Sequence, residues 1–356
     1  MNTEKIYEKV KMKIAISNEK EEDIVMNKRK ISIGKSIGIA ACIALSTTGV
    51  VFATNMIINK FGANISDGIA TAIQYEYYED VNTRCIEANG ITANIESFLL
   101  DAHNFDISIN LKFDSNYDLS KMLANESKID VMDLKVMNEK NEKVFATHEL
   151  EVEERTSLYK NEQEARENYD SYEGAYGGTI EKLSENEIKY YLTATGNPKN
   201  FPSSKKLFVT FSKIRQRCWE DDEPKDIIYN GEWSFEIDVP SKMAKADLIE
   251  YKMTSISDNS YKFESAVLSN TAFKIKLNNC SGISYNENEC VETSDGTKYY
   301  PSHRSDGDGE ISVNENGEVR YYNTFNLTSF NATDNLKVHL FKTNGEEVIV
   351  ELEKAK

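Results

Sequence analysis

Three carboxylates lie close together in the segment SDGDGE, Ser305 to Glu310, where they could bind a metal ion. Asp306, Asp308 and Glu310 alternate with glycines, and oxygen ligands in such a loop suit calcium. The segment lacks the ligand set of a twelve-residue calcium loop, so an ordinary polar turn is the favoured interpretation. The three residues remain a weak calcium candidate, and we predict no cofactor for the chain.

Two catalytic motifs match only in part. His148-Glu149 begins like a zinc-peptidase helix, but Val152 stands where the second histidine is required. Gly34 to Gly38 has the letters of a G-x-S-x-G hydrolase motif, yet it opens an apolar stretch instead of following a strand. His103 in a predicted turn and His339 on a predicted strand fit structural roles. We therefore predict that the protein is not an enzyme.

The five cysteines show no C-x-x-C pair and no cluster with histidine. Cys280 and Cys290 could bridge a loop, and unpaired thiols are the alternative, because sequence alone does not fix disulfide pairing.

The charge of the chain argues against nucleic acid as a partner. The formal net charge is −17 and the isoelectric point is near 4.9, whereas a nucleic-acid binder needs a basic surface that neutralises phosphates. Residues 1–35 differ from the rest, with nine Lys and Arg against six Asp and Glu. The chain is thus electrically asymmetric about the apolar stretch that follows.

Residues 36–59 form an uncharged, apolar stretch of 24 residues. A helix of that length rises about 36 Å, enough to cross a hydrocarbon core of about 30 Å. Basic residues stand on its N-terminal side, at Lys28, Arg29, Lys30 and Lys35. The positive-inside rule then predicts a single-pass membrane protein with a cytoplasmic N-terminus and extracytoplasmic C-terminal domains.

A cleavable secretion signal is the alternative for this stretch, since Val51-Phe52-Ala53 has the small-residue spacing of a cleavage site after Ala53. Two features favour a retained signal anchor. About 35 residues precede the apolar part, and the apolar run continues through Ile58.

The N-terminal tail contains a short amphipathic pattern. Ile6, Val10 and Ile14 fall on one face of a predicted helix. An apolar stripe with nothing of its own to pack against suggests a partner protein or the membrane surface. An unstructured tail is the alternative.

Strand patterns dominate the rest of the chain. In FDISINLKF, Phe105 to Phe113, apolar and polar residues alternate as in a half-buried antiparallel strand. Residues 91–114 therefore predict a hairpin, and a turn is predicted at Asn138 to Lys143. Trp233, Phe235, Ile237 and Val239 share one face of a later strand that Pro240 closes. Asn344-Gly345 between two alternating runs predicts another hairpin.

The predicted fold is mainly β, with two antiparallel Ig-like β-sandwich domains in series. The predicted parts are a cytoplasmic tail over 1–35, a transmembrane helix over 36–59, a juxtamembrane stalk over 60–90, a first β-domain over 91–240 and a second over 241–356. Residues 149–187 are rich in acidic residues and predict a solvated insert in the first β-domain.

This order of parts resembles a family of Gram-positive single-span membrane proteins, from bacilli and clostridia especially. Its members join a short basic N-terminus to an exported domain of unknown function and often to a second, Ig-like β-domain. The residues that carry the resemblance are EKVKMKIAIS, IGIAACIALSTTGVVFA, FGANISDGIATAI, NGITANIESFLLDAHNFDISINLKF and FNLTSFNATDNLKVHLF. Such proteins are described as anti-sigma-factor-like, so the resemblance implies an extracytoplasmic-function sigma factor as the partner of the tail. Residues 1–35 lack the His and Cys ligands of the zinc-type anti-sigma domain.

Together these observations predict a membrane-anchored signalling protein with a sensory β-rich ectodomain. The alternative is a non-enzymatic cell-envelope protein whose sandwiches bind an unknown envelope ligand.

Overall fold

The computed structural model describes residues 61–62, 65–123, 128–146, 176–195, 203–220, 223–244, 248–302, 309–313 and 317–355. Within these ranges, no helix is long and apolar enough to cross a membrane. The predicted span over 36–59 lies outside them, as do the residues of the tail stripe and the four basic residues before the span. Lys60–Lys356 forms one unit by its internal contacts.

The described part is mainly β, as predicted. Its first half contains helices α1 (Asp67–Gln74) and α2 (Leu119–Met122) and the strands β1 (Glu79–Asp80), β2 (Ile86–Ala88), β3 (Ile91–Leu100), β4 (Asn104–Phe113), β5 (Lys128–Met132), β6 (Lys135–Asn138), β7 (Lys143–Ala146), β8 (Tyr176–Lys182), β9 (Glu187–Thr195), β10 (Lys206–Glu220) and β11 (Glu223–Asp238). Its second half contains β12 (Ile249–Ile256), β13 (Lys262–Leu268), β14 (Phe273–Asn278), β15 (Ile283–Ser284), β16 (Cys290–Thr293), β17 (Lys298–Tyr299), β18 (Gly309–Val313), β19 (Val319–Phe325), β20 (Asn335–Lys342) and β21 (Glu347–Lys354).

These strands form three antiparallel sheets. Sheet A has the order β1-β3-β4-β9-β8, with β2 beside β3; sheet B has the order β11-β10-β6-β7, with β5 beside β10. Sheet C has the order β17-β16-β20-β21-β12-β13-β14-β19-β18, with β15 beside β20. Sheets A and B are called the first β-region, and sheet C the second. Sheet membership changes between Asp238 and Ile249, where the sequence predicts a domain boundary.

The predicted hairpin over 91–114 is confirmed. Strand β3 pairs with β4 from Ile91 opposite Phe113 to Leu100 opposite Phe105, with one irregularity near Ile95. Its burial differs from the half-buried strand that the alternation predicts, because β4 is buried on both faces from Asn104 to Ile109. The buried polar face is possible because its groups bond one another, as the Ser97 and Ser108 hydroxyls do at 2.7 Å.

Residues 60–90, predicted as a juxtamembrane stalk, contribute α1 to the unit and place β1 and β2 beside β3. The C-terminal part of the predicted acidic insert is also structured, since Tyr176–Lys182 forms β8 and pairs with β9. Residues 149–175 of that insert lie outside the described ranges.

Trp233 joins the two sheets of the first β-region. Its indole Nε1 donates a hydrogen bond to the Ile91 carbonyl of sheet A at 3.1 Å, and its ring stacks on Phe211 with centroids 5.0 Å apart. The ring also covers Gly231, where a Cβ atom would lie 2.4 Å from it. The side chains that share its strand face, Phe235, Ile237 and Val239, are buried as predicted.

Substituting Trp233→Phe should lower the free energy of unfolding by about 1–2 kcal/mol, because the Ile91 carbonyl loses its donor and the smaller ring leaves a void. Urea unfolding of the purified full-length protein measures this loss. The exposed control Glu232→Gln should change it by less than about 0.5 kcal/mol, and equal losses in both variants would contradict the role given to Trp233.

Candidate functional site at the junction of the two β-regions

Helix α1 is the first described helix after the predicted span. Ser66 caps its N-terminus, where the Ser66 hydroxyl accepts a hydrogen bond from the Ile69 amide at 3.2 Å. Ile69, Ala72 and Ile73 form its buried apolar face. Because a helix of eight residues is not stable alone in water, the position of α1 is determined by what it packs against.

Gly68 brings the start of α1 into direct contact with the second β-region. The Gly68 amide donates to Asn326 Oδ1 at 3.2 Å, just beyond β19. A Cβ atom at this position would lie 2.1 Å from the Thr271 carbonyl oxygen, far inside van der Waals contact. Only glycine therefore allows the helix backbone to approach the β13–β14 turn this closely.

The residues after α1 contact both β-regions. The Tyr75 ring stacks on Phe330 of the second region, with centroids 4.7 Å apart and planes within 5° of parallel. The Tyr77 hydroxyl donates to the Leu100 carbonyl of β3 at 3.1 Å. Lys242, in the connection between the regions, donates to the Glu76 carbonyl at 2.7 Å. The segment 66–78 thus meets the first region, the second region and their connection.

A buried polar network lies at the same junction. Asp101 and His103 lie in the β3–β4 turn and Asn104 begins β4, whereas Ser269 and Thr271 lie in the β13–β14 turn. The Thr271 hydroxyl donates to Asp101 Oδ2 at 2.7 Å and accepts a hydrogen bond from Asn104 Nδ2 at 2.6 Å. His103 Nδ1 lies 2.8 Å from Ser269 Oγ, and the His103 amide donates to Asp101 Oδ1 at 2.8 Å. All five residues are buried. The network therefore joins the two β-regions through side chains removed from water.

Burial shifts both ionisable groups of this network toward their neutral forms. It raises the pKa of Asp101, although the hydrogen bonds from Thr271, Ser269 and the turn amides act in the opposite direction. It lowers the pKa of His103 to about 3, and the positive charge of Lys274 adds to this effect. The His103 imidazole is therefore neutral at pH 7. Its Nε2 atom is buried and has no hydrogen-bond partner among the described residues.

Serine, histidine and aspartate side chains meet in this network, but their hydrogen bonds differ from those of a catalytic triad. The hydrogen-bonded carboxylate of a catalytic triad orients the imidazole, whereas Asp101 binds Thr271 and the amides of His103 and Asn104. The Ser269 hydroxyl also accepts hydrogen bonds from the amides of Thr271 and Ala272, each at 3.2 Å. Because these atoms are buried, what the arrangement can do is hold two turns together.

The candidate residues from the sequence lie elsewhere. Asp306 and Asp308 are outside the described ranges, and Glu310 lies in β18. In the part of the chain that is described, no group of three or more His, Cys, Asp or Glu could hold a metal ion. Ile6, Val10 and Ile14, predicted to bind a partner, are outside the described residues, as are Lys28, Arg29, Lys30 and Lys35.

Cys280 and Cys290 are free and buried thiols. Burial raises the pKa of the Cys280 thiol to about 12, and it also raises that of Cys290. Both therefore remain protonated at neutral pH, in the less reactive form of the side chain. The arrangement matches the unpaired alternative and not the bridged one.

Sequence reasoning missed the junction. Its place in the sequence is the run Asp101-Ala102-His103-Asn104, directly after the apolar run Phe98-Leu99-Leu100, and this run does not point to a junction. That run predicts a solvated turn, and only the facing turn of the second β-region, nearly 170 residues away, explains why it is buried.

No protein-family model matches the chain. No curated protein matches it either. Among solved structures, the chain is similar to one titled "The crystal structure of the conserved domain protein from Bacillus anthracis", with 16% sequence identity, a TM-score of 0.41, and coverage of 79% of this chain and 90% of that chain.

Proposed function

We propose that the protein is a single-pass, membrane-anchored extracytoplasmic protein that carries a signal across the membrane, as an anti-sigma-like regulator does. In this proposal its β-rich part is the sensor, built from two Ig-like β-sandwiches. The cytoplasmic tail is the effector and contacts its partner, an extracytoplasmic-function sigma factor, through Ile6, Val10 and Ile14. The unequal charge on the two sides of residues 36–59 supports this orientation.

The observation that carries the proposal is the docking of α1. The helix begins at Asp67, a few residues beyond the predicted span, and its Gly68 is in contact with the Thr271 turn. The next residues are bonded to the first β-region through Tyr77. A ligand that changes the relation of the two β-regions must therefore change the contacts of the segment that leads to the membrane. Signal transmission requires such an element, whose position both β-regions influence.

Partner capture from native membranes tests the proposal. Full-length protein is compared with the triple variant Ile6→Ser, Val10→Ser, Ile14→Ser, and bound cytoplasmic proteins are identified by mass spectrometry. We expect a sigma factor with the unchanged protein and a loss of about tenfold or more with the triple variant, because its apolar stripe is removed. The control Glu4→Ser, Glu8→Ser alters the opposite face of the predicted helix and should retain the partner.

The opposite result supports the alternative, an envelope protein that only uses the tail as an anchor. In that case the three forms retain the same extracytoplasmic partners and no sigma factor. Labelling of exposed Cys85 by an impermeant thiol reagent in intact cells tests the orientation separately. Labelling is expected if the β-rich part is extracytoplasmic, and its absence would contradict the proposed topology.

A further inference from the structure

Glu289 is a buried acid that connects the two ends of sheet C. It directly precedes β16, which is next to one end of the sheet, and it binds β19, which is next to the other end. The Tyr321 hydroxyl donates to Glu289 Oε2 at 2.9 Å, and Asn323 Nδ2 donates to the same oxygen at 2.8 Å. Backbone hydrogen bonds also join these ends, from the Ser302 amide to the Thr324 carbonyl at 2.8 Å and from the Asn326 amide to the Tyr300 carbonyl at 3.0 Å. Glu289 adds a buried side-chain contact to this closure.

Two further hydrogen bonds join the segment before Glu289 to β19. The Cys280 amide donates to the Val319 carbonyl at 3.0 Å, and the Tyr285 hydroxyl donates to the Tyr322 carbonyl at 3.4 Å. The contact between residues 280–289 and β19 is called the seam of sheet C. Glu289 is a buried carboxylic acid of this seam, and its partner Tyr321 belongs to the buried core.

Among the residues that the structure describes, no cation is bonded to the Glu289 carboxyl. Its Oε1 atom is buried without a hydrogen-bond partner in the described residues, and its Oε2 atom is bonded to two neutral groups. On the β19 face that carries Tyr321 and Asn323, the neighbouring strands place Leu277, Ile275, Ile311 and Gly309 in register. Directly opposite residues share a face of the sheet, so these neighbours are apolar and uncharged.

The charged groups of these strands are placed differently. Lys274, Lys276 and Arg320 belong to the other face of β14 and β19. The backbone of Glu310 is paired in register with Tyr322. On the side of β16, Cys290 pairs with His339, whose imidazole lies 2.8 Å from Glu347 and 3.6 Å from Glu292. In the connection itself, the charged neighbour Glu287 is exposed. Within the described parts of these elements, the titratable groups that face Glu289 are thus the phenols of Tyr321 and, packed on its ring, Tyr285.

A neutral carboxyl group fits these surroundings better than an ionised one. Ionisation would place a negative charge among apolar side chains, with two neutral donors on one oxygen and none on the other. Burial raises the pKa of Glu289 to about 7, although the hydrogen bonds from Tyr321 and Asn323 oppose this shift. The folded protein therefore binds this proton more strongly than the unfolded chain does. The resulting stabilisation is fully present below pH 4.5, and it is lost as the pH rises toward 7.

We propose that Glu289 is a proton-controlled clasp, which holds the two ends of sheet C together as a neutral acid and loosens the seam when it ionises. The clasp goes beyond the proposed signalling function and does not depend on it. It gives the second β-region two states that differ by one proton, at a position remote in sequence from α1.

The experiment compares the full-length protein with Glu289→Gln, whose amide has the shape of the protonated acid and does not ionise. Thermal unfolding midpoints are measured from pH 5 to pH 8.5. We expect the midpoint of the unchanged protein to fall by about 5 °C more than that of the variant. Glu287→Gln, an exposed acid of the same connection, is the matched control and should follow the unchanged protein. Parallel curves for the unchanged protein and Glu289→Gln would overturn the proposal.

Hydrogen exchange locates the change and separates it from a general loss of stability. At pH 8.5 the amides of β19 should exchange about tenfold faster in the unchanged protein than in Glu289→Gln, while those of β3 and β4 exchange equally. Tyr321→Phe provides a second test if the glutamine variant does not fold. It removes one donor to the carboxylate, so the pKa of Glu289 should rise further and the midpoint should keep falling to a higher pH than in the unchanged protein. An unshifted pH dependence in Tyr321→Phe would also overturn the clasp.

Discussion

Gly68→Ala is expected to destabilise the protein by about 2–3 kcal/mol, although alanine is the better helix former by about 1 kcal/mol. The added Cβ atom would lie 2.1 Å from the Thr271 carbonyl oxygen. Backbone atoms on both sides must therefore separate by about 1 Å or more to reach ordinary van der Waals distance. That separation also lengthens the hydrogen bond from the Gly68 amide to Asn326, which is 3.2 Å in the folded protein.

Urea unfolding of the purified full-length protein measures the effect, with Gln74→Ala as the matched control. Gln74 is an exposed residue of the same helix, so its substitution should change stability by less than about 0.5 kcal/mol. Hydrogen exchange should show faster exchange in α1 of Gly68→Ala than in the unchanged protein. If Gly68→Ala is as stable as the control, the close contact of Gly68 with the Thr271 turn does not hold α1 in place.

Periodicity predicted the strands well because each depends on a local pattern. The alternation of β4 identifies the strand, although both of its faces are buried from Asn104 to Ile109. The apolar face that begins at Trp233 identifies β11 and its buried side. The Asn344-Gly345 pair likewise lies between β20 and β21, where Gly345 has a positive φ of 82°. In each of these cases the residues that determine the structure are within about ten positions of one another.

The junction could not be predicted in this way, because its contacts join residues far apart in sequence. Thr271 and Asp101 are 170 positions apart, and Gly68 and Asn326 are 258 positions apart. A polar turn next to an apolar strand is normally solvated, so the sequence gives no sign that a second turn covers it. Glu289 is similar, since burial of an isolated acid is against the usual distribution of residues and follows only from how sheet C closes.

Asp101→Ala is expected to cost about 3–5 kcal/mol, the largest effect of a single substitution at the junction. The carboxylate accepts hydrogen bonds from the Thr271 hydroxyl and from the amides of His103 and Asn104, at 2.7, 2.8 and 2.9 Å. Alanine leaves these buried donors without their acceptor, and each costs about 1–3 kcal/mol when it is not compensated. Urea unfolding at pH 7 measures the loss, and a change below about 1 kcal/mol would show that the network contributes little to the junction.

Asp101→Asn separates the hydrogen bonds from the charge, because it keeps the shape of the side chain and removes its ionisation. Burial raises the pKa of Asp101, so this group stabilises the folded protein most below its unfolded pKa near 3.8. That contribution is lost as the pH rises through the folded pKa. The stability of the asparagine variant relative to the unchanged protein should therefore improve as the pH rises from 4 to 8. A relative stability that instead worsens would mean that the ionised carboxylate is favoured at the junction, and that its hydrogen bonds outweigh the cost of burying the charge.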